Sequence, residues 1–113
     1  MVQYYPGMDS GFSALAAGTR RGILEHLGRG EAASVSDLAF AFGMTLTGMK
    51  KHVQVLENAG LITTQKLGRV RSCTLGPRRL DVEAAWIQGY RQMLEGRLDS
   101  LGEFLERTKG EST

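Results

Sequence analysis

The side chains that usually do covalent chemistry are sparse in this sequence, which has one cysteine (Cys73) and two histidines (His26 and His52). A catalytic nucleophile needs an adjacent base, and neither a Ser-His-Asp nor a Cys-His spacing is identifiable. One cysteine cannot close an intramolecular disulfide, and with two histidines it makes a poor metal inventory. Asp81 and Glu83 alone are weak ligands for a hard cation. No phosphate-binding loop or dinucleotide fingerprint occurs. An enzyme, a metal site and a cofactor are therefore not expected. Cys73 alternates with Leu75 in a β-rich stretch and is expected to face inward as a small hydrophobe. A redox role for it stays an alternative, though one that no lowered thiol pKa argued from sequence supports.

The chemistry that remains is ionic. Net charge is only +2, but it is unevenly spread. Residues 1–44 hold three bases (Arg20, Arg21, Arg29) against four acids (Asp9, Glu25, Glu31, Asp37). Residues 45–79 hold seven bases (Lys50, Lys51, Lys66, Arg69, Arg71, Arg78, Arg79) against Glu57 alone. Residues 80–113 are net acidic, with four bases and seven acids. A basic middle third is the footprint of a surface for a polyanion, although a solvated charged face is the plainer alternative.

The elements that would position these bases follow from breakers and periodicity. With 113 residues and 42% hydrophobic content the chain reads as a single domain, residues 1–113. No run of about 18 apolar residues is present, so no membrane span is expected. The start MVQYYPGMDSGF lacks a basic, apolar leader pattern, and the default address is the cytoplasm. Residues 1–8 read as a loose arm and 109–113 as a tail.

Asp9 or Ser10 is expected to cap a helix over 9–17 that Gly18 breaks. Thr19 would cap a second over 19–28, closed by Gly28 and Gly30. Ser34 or Ser36 would cap a third over 36–42, stopped by Gly43. Thr45 would cap a fourth over 45–59, ended by Gly60. Residues 61–75, LITTQKLGRVRSCTL, read as a hairpin with Gly68 at its turn. A further short strand fits only near Ala33–Val35. From 79 to 108 the pattern is helical again. The order is α-α-α-α-β-β-α.

On the fourth helix, steps of about 100° per residue place Leu46, Met49, Val53 and Leu56 in one arc facing a core. Thr47, Lys50, Lys51, Gln54 and Asn58 fall opposite, with Gly48, His52 and Val55 between. A helix of this width fits the DNA major groove, where Lys donates to guanine and Gln pairs with adenine. The helix start at Thr45 suits a phosphate. Two helices joined by a short turn make a helix-turn-helix. The hairpin behind them would form a wing, with Lys66 and Arg69 at its tip, and Arg suits a narrow minor groove.

These blocks, FSALAAGTRRGILEHLGRGEAASVSDLA from Phe12 to Ala39, then GMTLTGMKKHVQVLENAGLI and GRVRSCTL, resemble the winged-helix regulators of the ArsR/SmtB family, in the subgroup lacking the metal-binding box. The likeness covers about residues 11–105. It implies a homodimer that binds double-stranded DNA and represses transcription until a signal releases it. On that resemblance Thr45, Thr47, Gly48, Lys50, Lys51, His52 and Gln54 belong to the recognition helix, and Lys66, Arg69 and Arg71 to the wing. Two positions depart from the family's habit: Lys50, where a small hydroxyl residue is common, and Gly48, where alanine is. Glycine there costs about 0.8–1.0 kcal/mol of helix propensity relative to alanine. The metal-sensing relatives carry a cysteine pair before the recognition helix, or His and acid sets on the last helix, and neither set is present.

A last helix of 30 residues would run ~45 Å, longer than one small core requires. Its apolar stripe includes Trp86, Tyr90, Leu94, Leu98, Leu101 and Leu105, with Arg97 inside it. This is expected to be a dimer seam, with Phe12 and Leu15 of the first helix packing across it; burial on its own domain is the alternative. Arg97 would extend its charged end to water or pair with an acid of the other subunit. Two further functions remain open. One is a dimeric winged-helix adaptor without DNA binding, which the bases at 50, 51, 66 and 69 oppose. The other is a sensor with an unknown small-molecule or protein effector at the seam.

Overall fold

The computed structural model describes residues 7–30 and 32–111, without the side chains of 98–100 and 108–111. Most of the expected N-terminal arm and the last residues of the tail lie outside that range, as does the side chain of Leu98. The elements are α1 (Met8–Leu15), α2 (Gly18–Arg29), β1 (Ala33–Ser34), α3 (Val35–Ala41), α4 (Leu46–Asn58), β2 (Ile62–Leu67), β3 (Val70–Leu75) and α5 (Asp81–Glu111). The chain forms two compact units, one ending at Leu80 and one beginning at Asp81.

The first unit is a winged helix-turn-helix. Its sheet has the order β1-β3-β2, antiparallel throughout. Cys73 on the central strand pairs with Ala33 on one side and Thr64 on the other, and its side chain is fully buried. The core joins Ala14 of α1, Ile23 and Leu27 of α2, Leu38 of α3 and Ile62 of β2 to the α4 stripe Met49, Val53 and Leu56. Fully burying one such aliphatic or thioether side chain contributes about 1.5–3 kcal/mol, so the stripe anchors α4 with its opposite face outward.

Local chemistry sets the boundaries. Ser34 caps α3 in a reciprocal box: its hydroxyl accepts from the Asp37 amide at 2.9 Å, and Asp37 accepts from the Ser34 amide at 3.4 Å. Thr45 caps α4 by accepting from the Gly48 amide at 3.1 Å. Between them Gly43 takes φ +62°, the left-handed stop a glycine adopts without a Cβ clash. Gly60 at φ +76° does the same after α4, and Gly68 at φ +65° turns the hairpin.

Several boundaries differ from expectation. α1 starts from Gly7 in the left-handed conformation, with no side-chain cap from Asp9 or Ser10; the Ser10 hydroxyl instead donates to the Gly7 carbonyl at 2.8 Å. Gly18 opens α2 rather than breaking α1, because the extended residue is Ala17, and Thr19 lies inside the first turn without a capping role. Gly28 is carried within α2, which ends at Arg29 with Gly30 as its C-cap. α3 begins and ends one residue early, with Phe42 as its C-cap. Leu46, expected in the core, is 44% exposed; as the first residue of α4 it lies at the end of the stripe.

The second unit is the helix α5 alone, 31 residues long. It begins at Asp81 rather than 79, because Leu80 takes φ +60°, outside the helical region. Asp81 and Glu83 fall in its first turn, where acids complement the helix dipole. Trp86 and Tyr90, one turn apart, stack with ring centroids 5.7 Å apart and planes 7° from parallel. Among the described residues no helix is long and apolar enough to cross a membrane.

Candidate nucleic-acid interface

The outward face of α4 and the wing enclose an open groove of about 510 Å³ within the first unit. Lys50, Gln54 and Glu57 line it from α4, Thr64 and Lys66 from β2, and Arg69, Val70 and Arg71 from the turn and β3. α4 points its polar face here because Met49, Val53 and Leu56 hold the opposite face in the core. The hairpin's two-residue turn, Gly68-Arg69, brings Lys66 and Arg69 to the same side. Five of the residues predicted from sequence, Lys50, Gln54, Lys66, Arg69 and Arg71, thus share one groove. Thr45, Thr47 and Lys51 are exposed on α4 but do not line it.

The cations do not have equal freedom. Lys50, Lys51, Lys66 and Arg69 are exposed and engage no hydrogen bond or ion pair among the described residues. Arg71 donates to the Thr64 hydroxyl at 3.0 Å, and Thr64 in turn donates to the Glu57 carboxylate in a short contact. The one acid on this face is therefore tied to the wing through Thr64. Arg78 serves the fold instead, donating to the Ala59 carbonyl at 2.8 Å and the Gly7 carbonyl at 2.7 Å. It satisfies the carbonyl at the end of α4, a group a helix terminus leaves without a partner.

On α4 itself the Gln54 amide nitrogen donates to the Asn58 carbonyl oxygen at 2.9 Å, one turn along the helix. His52 is half-buried, and its Nδ1 accepts from Arg20 of α2 at 3.2 Å. A guanidinium has only donors, so the neutral ring carries its hydrogen on Nε2. The same Arg20 donates to the Ala14 and Ser13 carbonyls at 2.9 Å each, closing the end of α1. His52 therefore links α4 to α2 and lies apart from the groove that Gln54 and Lys50 line. Gly48 has a local reason: a Cβ there would lie 3.1 Å from the Thr45 hydroxyl and 3.4 Å from the Met44 methyl, crowding the cap.

Other groove residues were not foreseen as part of the site, among them Ser34 and Ser36 at the start of α3, Glu57 and Thr64, and Val70 beside Arg69. The hydroxyl-rich stretch Ser34-Val35-Ser36 was legible only as a helix cap. Cys73 lies beneath this surface, fully buried. Burial pushes its thiol pKa up, the nearby Glu57 carboxylate pushes the same way, and Arg71 opposes them. Of the expected dimer residues, Phe12 and Leu15 of α1 are half-buried. On α5, Trp86, Tyr90, Leu94, Leu101 and Leu105 are 41–56% exposed, and Arg97 is exposed.

This geometry agrees with what the chain is similar to. A model of a helix-turn-helix domain matches residues 15–65. The HTH-type transcriptional regulator Rv2034 of Mycobacterium tuberculosis is 32% identical over 103 residues, covering 84% of this chain and 95% of the relative. The crystal structure of the ArsR family transcriptional regulator RHA00566 is 40% identical, with a TM-score of 0.73 over 84% of this chain and 97% of that one. The solution structure of the homodimeric winged helix-turn-helix DNA-binding domain of Mb0332 from Mycobacterium bovis shares the fold at 24% identity, with a TM-score of 0.61 over 81% of this chain and 91% of that one. Family and fold are those of regulators rather than enzymes. With a winged helix-turn-helix whose recognition helix and wing share one cationic groove, the chain belongs to the ArsR family of transcriptional regulators.

Proposed function

We propose that the protein is a cytoplasmic repressor that binds a two-fold operator as a homodimer and is released by a small-molecule or protein effector. The observation that carries DNA binding is the grouping of Lys50, Gln54, Lys66, Arg69 and Arg71 around one groove. Lysine and arginine supply the phosphate attraction, and Gln54 supplies base-edge hydrogen bonding. Thr45, Thr47 and Lys51 extend the contact along α4, and His52 supports the helix from behind.

Dimerisation is supported by α5, on which Trp86, Tyr90, Leu94, Leu101 and Leu105 are about half exposed. Exposed large apolar side chains grouped in that way mark an interaction site. The M. bovis winged helix-turn-helix is itself homodimeric. Phe12 and Leu15 of α1, both half-buried, are proposed as further interface residues. A homodimer presents two recognition helices to half-sites about 34–36 Å apart, or a multiple of that. The test is a gel shift of the full chain on the DNA upstream of its own gene, at low salt where phosphate contacts are strongest. A retarded complex competed by its own operator and not by unrelated duplex supports the reading. No complex at low salt overturns it.

A further inference from the structure

We propose that Gln54 selects an adenine in each operator half-site and that Asn58 is the positioning residue that fixes its amide for that choice. The inference rests on the DNA-binding reading above and adds a base and a second residue to it.

The geometry starts from the contact between the two side chains. Gln54 Nε2 donates to Asn58 Oδ1 at 2.9 Å, and both residues are exposed on the outward face of α4. A side-chain amide has two N–H donors and one carbonyl acceptor. With one N–H engaged by Asn58, Gln54 keeps one donor and its acceptor. Adenine offers the complement in the major groove, an N6 donor beside the N7 acceptor. Guanine offers two acceptors, N7 and O6, which suit a residue with two donors. The bond to Asn58 thus leaves Gln54 a donor and an acceptor to present, the set that favours adenine. It also restricts a long side chain in the free protein, so less rotamer freedom is lost on binding.

The surroundings remove the competing readers. Glu57, whose carboxylate would suit the cytosine N4 donor, is held by Thr64. Lys50 lies one turn before Gln54 and has only donors. Gln54 is therefore the residue lining the groove from α4 with both kinds of group to offer an A·T pair.

The test is selection of bound sites from a randomised duplex library by wild type, Gln54→Ala, Asn58→Ala and Asn58→Asp. The aspartate substitution keeps the acceptor oxygen that the Gln54 amide needs and brings no donor of its own. Wild type is expected to enrich an adenine at one fixed position of each half-site. Discrimination at that position should fall about tenfold or more in Gln54→Ala, and several-fold in Asn58→Ala with the salt dependence unchanged. It should be retained in Asn58→Asp. Adenine preference that survives Gln54→Ala, or is indifferent to Asn58→Ala, overturns the inference while leaving DNA binding intact. So does a loss in Asn58→Asp as large as in Asn58→Ala. Failure of wild type to enrich any sequence overturns the DNA-binding reading instead.

Discussion

Arg69→Ala tests the proposed division between cations that meet DNA and those that hold the fold. Arg69 is exposed at the wing turn, beside Lys50 and Lys66 on the groove, and has no partner among the described residues. With Lys51 these make four unengaged cations per protomer on α4 and the wing. If each meets a phosphate, a dimer makes eight contacts and the logarithm of affinity should fall with the logarithm of salt at a slope of about −7. Removing Arg69 deletes two contacts, so the slope should ease to about −5.4. With the counterion term vanishing at 1 M salt, the loss of affinity is about 60-fold at 0.1 M and about 9-fold at 0.3 M. Fluorescence anisotropy of a labelled operator across a salt series reads both quantities. Arg78→Ala is the control, because Arg78 already donates to two carbonyls. It should leave the slope at its wild-type value while lowering stability by about 1–3 kcal/mol. An unchanged slope in Arg69→Ala, or an equal easing in Arg78→Ala, refutes this division of the charges.

Other substitutions test the fold and the seam. A Cβ on Gly76 would lie 2.6 Å from the Gly60 carbonyl oxygen and 3.0 Å from the Leu61 carbonyl carbon, so Gly76→Ala should cost about 1–3 kcal/mol in urea denaturation; wild-type stability would show that this crossing relaxes freely. Leu94→Glu places a charge in the α5 stripe and should give monomers in sedimentation equilibrium, whereas a persistent dimer moves the seam elsewhere. Cys73 should resist iodoacetamide in the folded protein at pH 8 and react on unfolding, and rapid labelling of the native state contradicts its burial. Because the folded thiol pKa is raised, its contribution to stability is fully present below the unfolded thiol value of about 8.5. That contribution should be lost as pH rises through the higher folded value; a Cys73→Ala variant should lack this component of the alkaline decline.

The helix-turn-helix was legible because its signals are local. Thr45 and Ser34 are cap residues three positions before the amides they meet, and Gly43, Gly60 and Gly68 mark the left-handed turns. The Met49-Val53-Leu56 spacing fixed which face of α4 is buried. The roles of the arginines were not legible, because carbonyl partners lie far away in sequence. Arg78 was counted with the basic surface, yet it reaches Gly7, 71 residues earlier. Arg20 looked like an ordinary base of the N-terminal third, yet it holds His52, 32 residues later. A charge map assigns a sign to a stretch and says nothing of which cations already have acceptors. Leu80 was equally hidden: a non-glycine residue at positive φ is uncommon, and nothing in Arg79-Leu80-Asp81 announces it.

On the proposed DNA-binding reading, Glu57, the one acid lining the groove, need not oppose binding. A free carboxylate between Lys50 and Arg71 would repel phosphate and compete for the cations. Here Thr64 donates to it, and Arg71 donates to Thr64. The chain runs from α4 across β2 to β3, so one hydrogen-bonded path fastens the recognition helix to the wing. A hairpin is marginal without packing partners, and its outer half is exposed from Gln65 through Arg71. If this face meets DNA as proposed, the cost of a carboxylate there is offset by holding Lys66 and Arg69 at a fixed offset from Lys50 and Gln54. Reading a base from the helix and a backbone from the wing in the same half-site requires that offset, because each contact is useful only when the other is in register.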